Sequence, residues 1–210
     1  MKIISIQKPF FHVIIEETFD KQEYYEVWNE LLFLQPKMKN GHETGAAHNV
    51  YGAASKNGFG IFLNDIFVSG NYSQIFRSTR KFFNNSSIAD AIESDKSDTY
   101  FKLFNRVIRD SVLVQCYKNG DYYFPHNDQS LFTIVSMMYN LPKKYSGGEL
   151  YFPEYDHKIS LENNCSLIFP SVLLHEVKEV KLDSSDPKDF RYTISLFLED
   201  RLPLENNNEK

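Results

Sequence analysis

A chain of 210 residues with 42% hydrophobic content is expected to form one compact domain over about residues 1–200 rather than two. The net charge is −5, the pI is near 5.7 and the Lys and Arg are scattered, so no basic stripe points to DNA or RNA as a partner. Cys116 and Cys165 are too few for a disulfide framework and read as buried thiols, and the lack of an N-terminal h-region or of ~18 consecutive apolar residues leads us to expect a soluble, cytoplasmic protein without a membrane span.

Residues 3–16 read as strand, with Pro9 interrupting the extended run and suggesting an edge or a bend. From Asp20 to Leu34, Tyr24, Val27, Trp28, Leu31 and Leu32 recur at helical spacing. Asp20 is placed to cap that helix, Pro36 lies just past its end, and Trp28 and Leu31 should be buried. Between Pro36 and Gly60 the periodicity disappears, and five of the nine glycines (41, 45, 52, 58 and 60) fall there together with His42 and His48. We expect a long loop, and its length and glycine content suggest a lid over a site. Ile61 to Val68 is apolar, Asn71 to Asn84 suggests a second amphipathic helix, Ile88 to Ile92 begins a short third, and Tyr100 to Val107 reads equally as helix or extended chain. These helices form an N-terminal support over about residues 1–105, ahead of a strand-rich core over about 106–198 and a polar tail, 201–210, that should be flexible.

His126 and Asp128 stand at i and i+2 among apolar runs. In extended chain both side chains leave the same face, with Cα atoms roughly 7 Å apart, and can converge on one ion. A neutral imidazole and a carboxylate suit a divalent first-row metal, and a second histidine would complete the two-His, one-carboxylate face that leaves positions open in non-haem Fe(II) oxygenases. A solvated loop pair has the same spacing. Further on, Gly147-Gly148 is a turn signal before the strand-like Leu150-Tyr151-Phe152, and Cys165 to Phe169 is a strand closed by Pro170. His175 shares a face with Leu173 and Val177, as a core histidine or a ligand would. In Arg191 to Leu198, Tyr192, Ile194, Leu196 and Leu198 share one face, leaving Arg191, Thr193 and Ser195 on the other. An arginine aimed inwards needs an anion.

The ordered set His126-x-Asp128, Gly147-Gly148-x-Leu150, His175-x-Val177 and Arg191-x-Thr193 resembles the prolyl 4-hydroxylase-like branch of the Fe(II)- and 2-oxoglutarate-dependent dioxygenases. The resemblance covers roughly residues 111–198, and Lys8 to His12 looks like the family's opening strand. It implies a mainly β fold with flanking helices, a double-stranded β-helix or jelly roll. It further implies His126, Asp128 and His175 as iron ligands, Arg191 as the anchor of the far carboxylate of 2-oxoglutarate, and Fe(II), 2-oxoglutarate and O2 as requirements, with ascorbate in support. Tyr139, Tyr117 and Thr193 fall where related enzymes place further co-substrate contacts. Two departures stand out: Asn163-Asn164 replaces the usual glycine turn, which Asn tolerates, and the interval from His175 to Arg191 is long, with Asp183 to Pro187 resembling an inserted turn.

The resemblance implies hydroxylation of an amino-acid side chain, first of all prolyl in a peptide or protein, with release of succinate and CO2. Alternatives are the same chemistry on a free amino acid or other small molecule, a non-catalytic metal-binding jelly roll, and a Zn2+ hydrolase using the same ligands. A nucleic-acid dealkylase would carry a second arginine where this chain has Phe197. His157, among Glu154, Asp156 and Lys158, reads as a turn histidine, and His42 and His48 as loop histidines.

Overall fold

The computed structural model describes residues 1–44, 56–67, 72–93 and 100–200. Its strands, in chain order, are β1 (Lys2–Ile6), β2 (His12–Glu16), β3 (Lys39–Asn40), β4 (Lys56–Asn57), β5 (Phe59–Phe62), β6 (Arg109–Tyr117), β7 (Tyr122–His126), β8 (Phe132–Met138), β9 (Tyr145–Gly147), β10 (Leu150–Phe152), β11 (His157–Ile159), β12 (Cys165–Pro170), β13 (His175–Val177), β14 (Val180–Leu182) and β15 (Arg191–Glu199). Four helices, α1 (Lys21–Leu34), α2 (Gln74–Thr79), α3 (Lys81–Asn84) and α4 (Ser86–Glu93), lie between β2 and β6.

Two antiparallel sheets make a double-stranded β-helix, or jelly roll. The larger runs in the order β1-β2-β12-β8-β15-β6-β5-β3, the smaller β11-β10-β13-β7-β4, and a separate ribbon pairs β14 with β9. The central strands are apolar because both faces are covered. On β15, Tyr192, Ile194, Leu196 and Leu198 are all fully buried. Tyr192 meets Trp28 of α1 edge-on at 5.6 Å, and Phe132 of β8 meets Phe101 of the 3-10 helix Tyr100–Arg106 at 5.1 Å. The other face of β15 and β6 lines a cavity between the sheets.

Helix α1 starts where its cap dictates. The Asp20 carboxylate accepts from the amides of Gln22 and Glu23, and Glu23 reaches back to the amide of Asp20, so the first-turn donors are satisfied reciprocally. Val27, Leu31 and Leu34 are buried, whereas Trp28 is only partly so. Pro9 does break the first extended run, into β1 and β2, which pair with each other. Asn164 sits at φ +60° and bonds both backbone groups of Phe19 through its amide, so asparagine takes over the glycine's task at that turn.

Three expectations need correction. The N-terminal half is more than a helical support, because five strands from it enter the two sheets. The stretch 36–60 is not loop throughout: Lys39–Asn40, Lys56–Asn57 and the start of β5 pair with neighbouring strands. Alternation is too short there, at two residues per strand, to show a period. Residues 45–55, with His48 and the middle of the expected lid, lie outside the described residues, as does the tail 201–210. The segment 74–84 forms two short helices, α2 and α3, that meet at Arg80, and Tyr100–Arg106 settles as 3-10 helix. Among the described residues, no helix is long and apolar enough to cross a membrane.

Candidate active site

Neighbouring strands of the small sheet bring the two histidines together. His126 ends β7 and His175 begins β13, and the two are register partners. Asp128 follows two residues after His126, held by its own amide, which donates to the carbonyl of Ser171 at 3.1 Å. The Nε2 atoms of His126 and His175 lie 3.8 and 3.5 Å from the Asp128 carboxylate oxygens. One donor atom from each of the three residues falls within 4.8 Å of the others, a spacing that could hold a metal ion.

The surroundings fix the protonation needed for that task. Each ring donates Nδ1–H to the carbonyl two residues earlier, His126 to Phe124 and His175 to Leu173, both at 2.8 Å. Carbonyls only accept, so Nδ1 carries a proton and Nε2 is the nitrogen turned to the common centre. Burial, and secondarily His175, push the pKa of His126 down to about 3, which keeps the ring neutral. Thr133 of β8 donates its hydroxyl to Asp128 Oδ2 at 2.5 Å and lies 2.8 Å from the Ser171 hydroxyl, so the carboxylate is oriented as well. Tyr123 stacks on the His126 ring at 3.6 Å between centroids.

The same cavity, about 340 Å3, is lined by Arg191. Arg191 is 1% exposed, and none of its three guanidinium nitrogens has a hydrogen-bond partner among the described residues. The acids that could have neutralised it are engaged elsewhere: Asp189 accepts from Ser184, and Glu199 pairs with Arg109. The guanidinium lies 4.8 Å from the Tyr117 ring centroid, a favourable but weak partner for a buried charge. A planar, charged fork with five free N–H groups fits a carboxylate. The side chain reaches this place across Gly148, at φ +71°, where a Cβ would come within 2.7 Å of Arg191 Cδ. Gly148 is therefore space for an arginine as much as part of a turn.

Thr193 and Tyr117 line the cavity too. The Thr193 hydroxyl, however, donates to Gln115 Oε1 at 3.1 Å, so it reaches an anion only by releasing that bond. Tyr139 is a correction. Its hydroxyl donates to Glu162 at 2.7 Å and it does not line the cavity. The strand β8 ends at Met138, and the chain turns outward there. Tyr145, six residues on, is buried; burial raises its pKa, and the Arg191 charge opposes that rise there as it does at Tyr117. His157 packs near Phe10 and His12, away from the cavity, and His42 is exposed in a turn. Sequence reasoning passed over Thr133, Gln115 and Lys56. The first two had a signal, a polar residue in the middle of an apolar strand, which must find a partner. Lys56 had none.

Comparison with known proteins supplies a second, independent line. Residues 112–199 match the 2OG-Fe(II) oxygenase superfamily, whose members require Fe(II), 2-oxoglutarate and O2. A prolyl-4-hydroxylase of Pseudomonas putida superposes with a TM-score of 0.60 over 91% of this chain and 93% of its own, at 13% identity. The viral collagen prolyl hydroxylase of Paramecium Bursaria Chlorella virus-1, in its 2OG complex, gives 0.51 over 89% and 94%, at 19% identity. The non-heme alpha ketoglutarate dependent epimerase SnoN from nogalamycin biosynthesis also gives 0.51, over 89% and 76%, at 12% identity. A search of the curated proteins found no match. Identities this low establish the jelly roll alone, and a hydroxylase and an epimerase share it.

Proposed function

We propose that this chain, whose residues 112–199 match the 2OG-Fe(II) oxygenase superfamily, is an Fe(II)- and 2-oxoglutarate-dependent dioxygenase that hydroxylates an amino-acid side chain, prolyl first of all. The observation that carries this reading is Arg191, a buried guanidinium with every nitrogen free, in the same cavity as the His126, Asp128 and His175 donors. Such a charge is costly unless an anion completes it. A dicarboxylate that also binds the metal would do so, whereas a non-catalytic jelly roll would have no use for the cation; metal analysis and 2-oxoglutarate binding separate the reading from a Zn2+ hydrolase.

The donor set fits the metal: two imidazoles whose Nδ1–H groups are tied to carbonyls, which turns Nε2 to the common centre, and one oriented carboxylate leave coordination positions for other ligands. Fe(II) with 2-oxoglutarate and O2 supplies an oxidant that inserts one oxygen atom into a substrate C–H bond, releasing succinate and CO2. The protein's part is positioning. His126, Asp128 and His175 would hold the ion, Arg191 would take the far carboxylate through two parallel N–H bonds, and the apolar wall of Leu113, Val135 and Leu150 keeps water from the space between. Tyr117 and Thr193 would border the co-substrate.

Succinate release from 2-oxoglutarate, dependent on Fe(II) and supported by ascorbate, tests the co-substrate assignment. Mass spectrometry for one added oxygen atom on lysate peptides and on free amino acids tests the substrate. Absence of 2-oxoglutarate binding to the metal-loaded protein would remove the reading altogether.

A further inference from the structure

Among the described residues, the buried side-chain atoms without a hydrogen-bond partner are Glu30 Oε1, the three guanidinium nitrogens of Arg191 and Lys56 Nζ. All but the first belong to two cations on one cavity. Arg191 has an explanation. Lys56 does not.

Lys56 begins β4 at the edge of the small sheet, opposite Tyr123 of β7. It is 5% exposed. Its side chain crosses to the large sheet, where Nζ occupies the space that a side chain at Gly60 would fill; a Cβ there would approach Nζ to 3.2 Å. Gly60 is paired with Gln115, two rungs from the Tyr117–Arg191 pair. Nζ lies 5.9 Å from the Tyr117 ring and 6.0 Å from the ring of Tyr123, which stacks on His126. The ammonium therefore shares the cavity with both the His126, Asp128 and His175 donors and Arg191, beside one tyrosine that stacks on His126 and another that faces Arg191.

Charge counting assigns it a partner. In the proposed loaded site Fe(II) and Arg191 carry three positive charges, while Asp128 and the two carboxylates of 2-oxoglutarate carry three negative ones. Lys56 is the charge left over. The buried carboxylate of Asp121 lends Lys56 some electrostatic support, but it accepts from the Lys118 amide at 2.7 Å, makes no hydrogen bond to Nζ and does not line the cavity, so Nζ still has no direct partner. A buried ammonium left unpaired is strongly unfavourable, and a neutral substrate would seal it in. The cavity, about 340 Å3, lies at the lower end of the range for ligand sites and has to hold the co-substrate as well.

We propose that Lys56 is a specificity-determining residue that binds a carboxylate of the substrate itself, so that the enzyme oxidises an amino acid, or a C-terminal residue, whose carboxylate is free. This inference rests on the dioxygenase reading above and narrows its substrate. An internal residue, flanked by neutral amides, leaves Lys56 unanswered.

The test uses the full chain loaded with Mn2+, which does not turn over, and 2-oxoglutarate, as wild type, Lys56→Met and Lys56→Arg. Calorimetry measures binding of the proteinogenic amino acids and, in parallel, of their carboxamides. At least one acid is expected to bind wild type about ten-fold or more tightly than its amide, as a charge-assisted hydrogen bond implies. Lys56→Met should erase that preference and Lys56→Arg retain part of it, while the 2-oxoglutarate Kd stays within about two-fold throughout. The proposal is overturned if no acid binds, if acid and amide bind wild type equally, or if Lys56→Met weakens 2-oxoglutarate instead of the acid. Failure of Mn2+-loaded wild type to bind 2-oxoglutarate is a different result, and it overturns the dioxygenase reading.

Discussion

Arg191 and Asp128 divide the work of the proposed site between them, and single substitutions should separate the two halves. Arg191→Ala removes a charge-assisted bond to a buried carboxylate, on the order of 1.5–3 kcal/mol, so the 2-oxoglutarate Kd should rise roughly ten- to hundred-fold with metal affinity little changed. Arg191→Lys keeps the charge without the planar fork and should fall between. Unaltered 2-oxoglutarate affinity in both variants would place the anchor elsewhere. Asp128→Ala should do the reverse and abolish metal binding, read as loss of the Mn2+-dependent rise in Tm. If that variant is folded and binds the metal as wild type does, the ligand assignment is wrong. At this scale the sequence showed chemistry better than placement. The i, i+2 spacing of His126 and Asp128 and the strand parity of Arg191 follow from backbone geometry and could be read directly. Tyr139 could not be judged that way, because whether it faces the cavity depends on where β8 stops, and the strand ends one residue before it. Lys56 was illegible for a related reason: its burial depends on a two-residue strand and on a missing side chain at Gly60.

The β9–β14 ribbon owes its form to two glycines, the second of which Arg191 of β15 requires. Gly147 and Gly148 both have positive φ; at the first a Cβ would meet the Glu179 carbonyl oxygen at 2.1 Å, and at the second it would press on Arg191. Gly148→Ala should therefore cost about 1–3 kcal/mol of stability from backbone strain. The shift forced on Arg191 should also weaken 2-oxoglutarate binding while sparing the metal, whose proposed ligands lie on β7, just after it at Asp128, and on β13. Urea denaturation and calorimetry check the two parts. A variant as stable as wild type with unchanged co-substrate affinity would show that the arginine can reach its place by another path. The longer elements were legible because they carry enough period: α1 has its capping box, and β15 alternates along its length. β3, β4 and the ribbon strands have two or three residues each, and pairing partners distant in sequence, not local pattern, decide that they are strands.

For the molecule as a whole, a cavity holding two unpaired cations is a stability cost that binding offsets. Mn2+ with 2-oxoglutarate at a hundred times its Kd should stabilise the native state by about 2.7 kcal/mol, since the ligand binds the folded form alone. The cost itself can be measured at Lys56. Burial lowers its pKa from an ordinary 10.5 to about 8, so below pH 8 both folded and unfolded chains hold the proton and the folded state bears the full desolvation cost. At 1.36 kcal/mol for each tenfold, that cost is roughly 3 kcal/mol at most. As pH rises from about 8 to 10.5 the folded chain loses the proton first, the unfolded chain holds more protons, and stability contributed by this group rises. Lys56→Met, with similar length and no charge, should therefore raise the Tm of the ligand-free protein at pH 7, and the gain should shrink as the pH approaches 10. The same substitution should abolish preference for a substrate acid, so stability and specificity are opposed at one residue. Thermal melts of both proteins from pH 6 to pH 10 decide the matter. A destabilised Lys56→Met with no pH dependence would mean that the lysine packs as a spacer between the sheets and holds no unpaired charge.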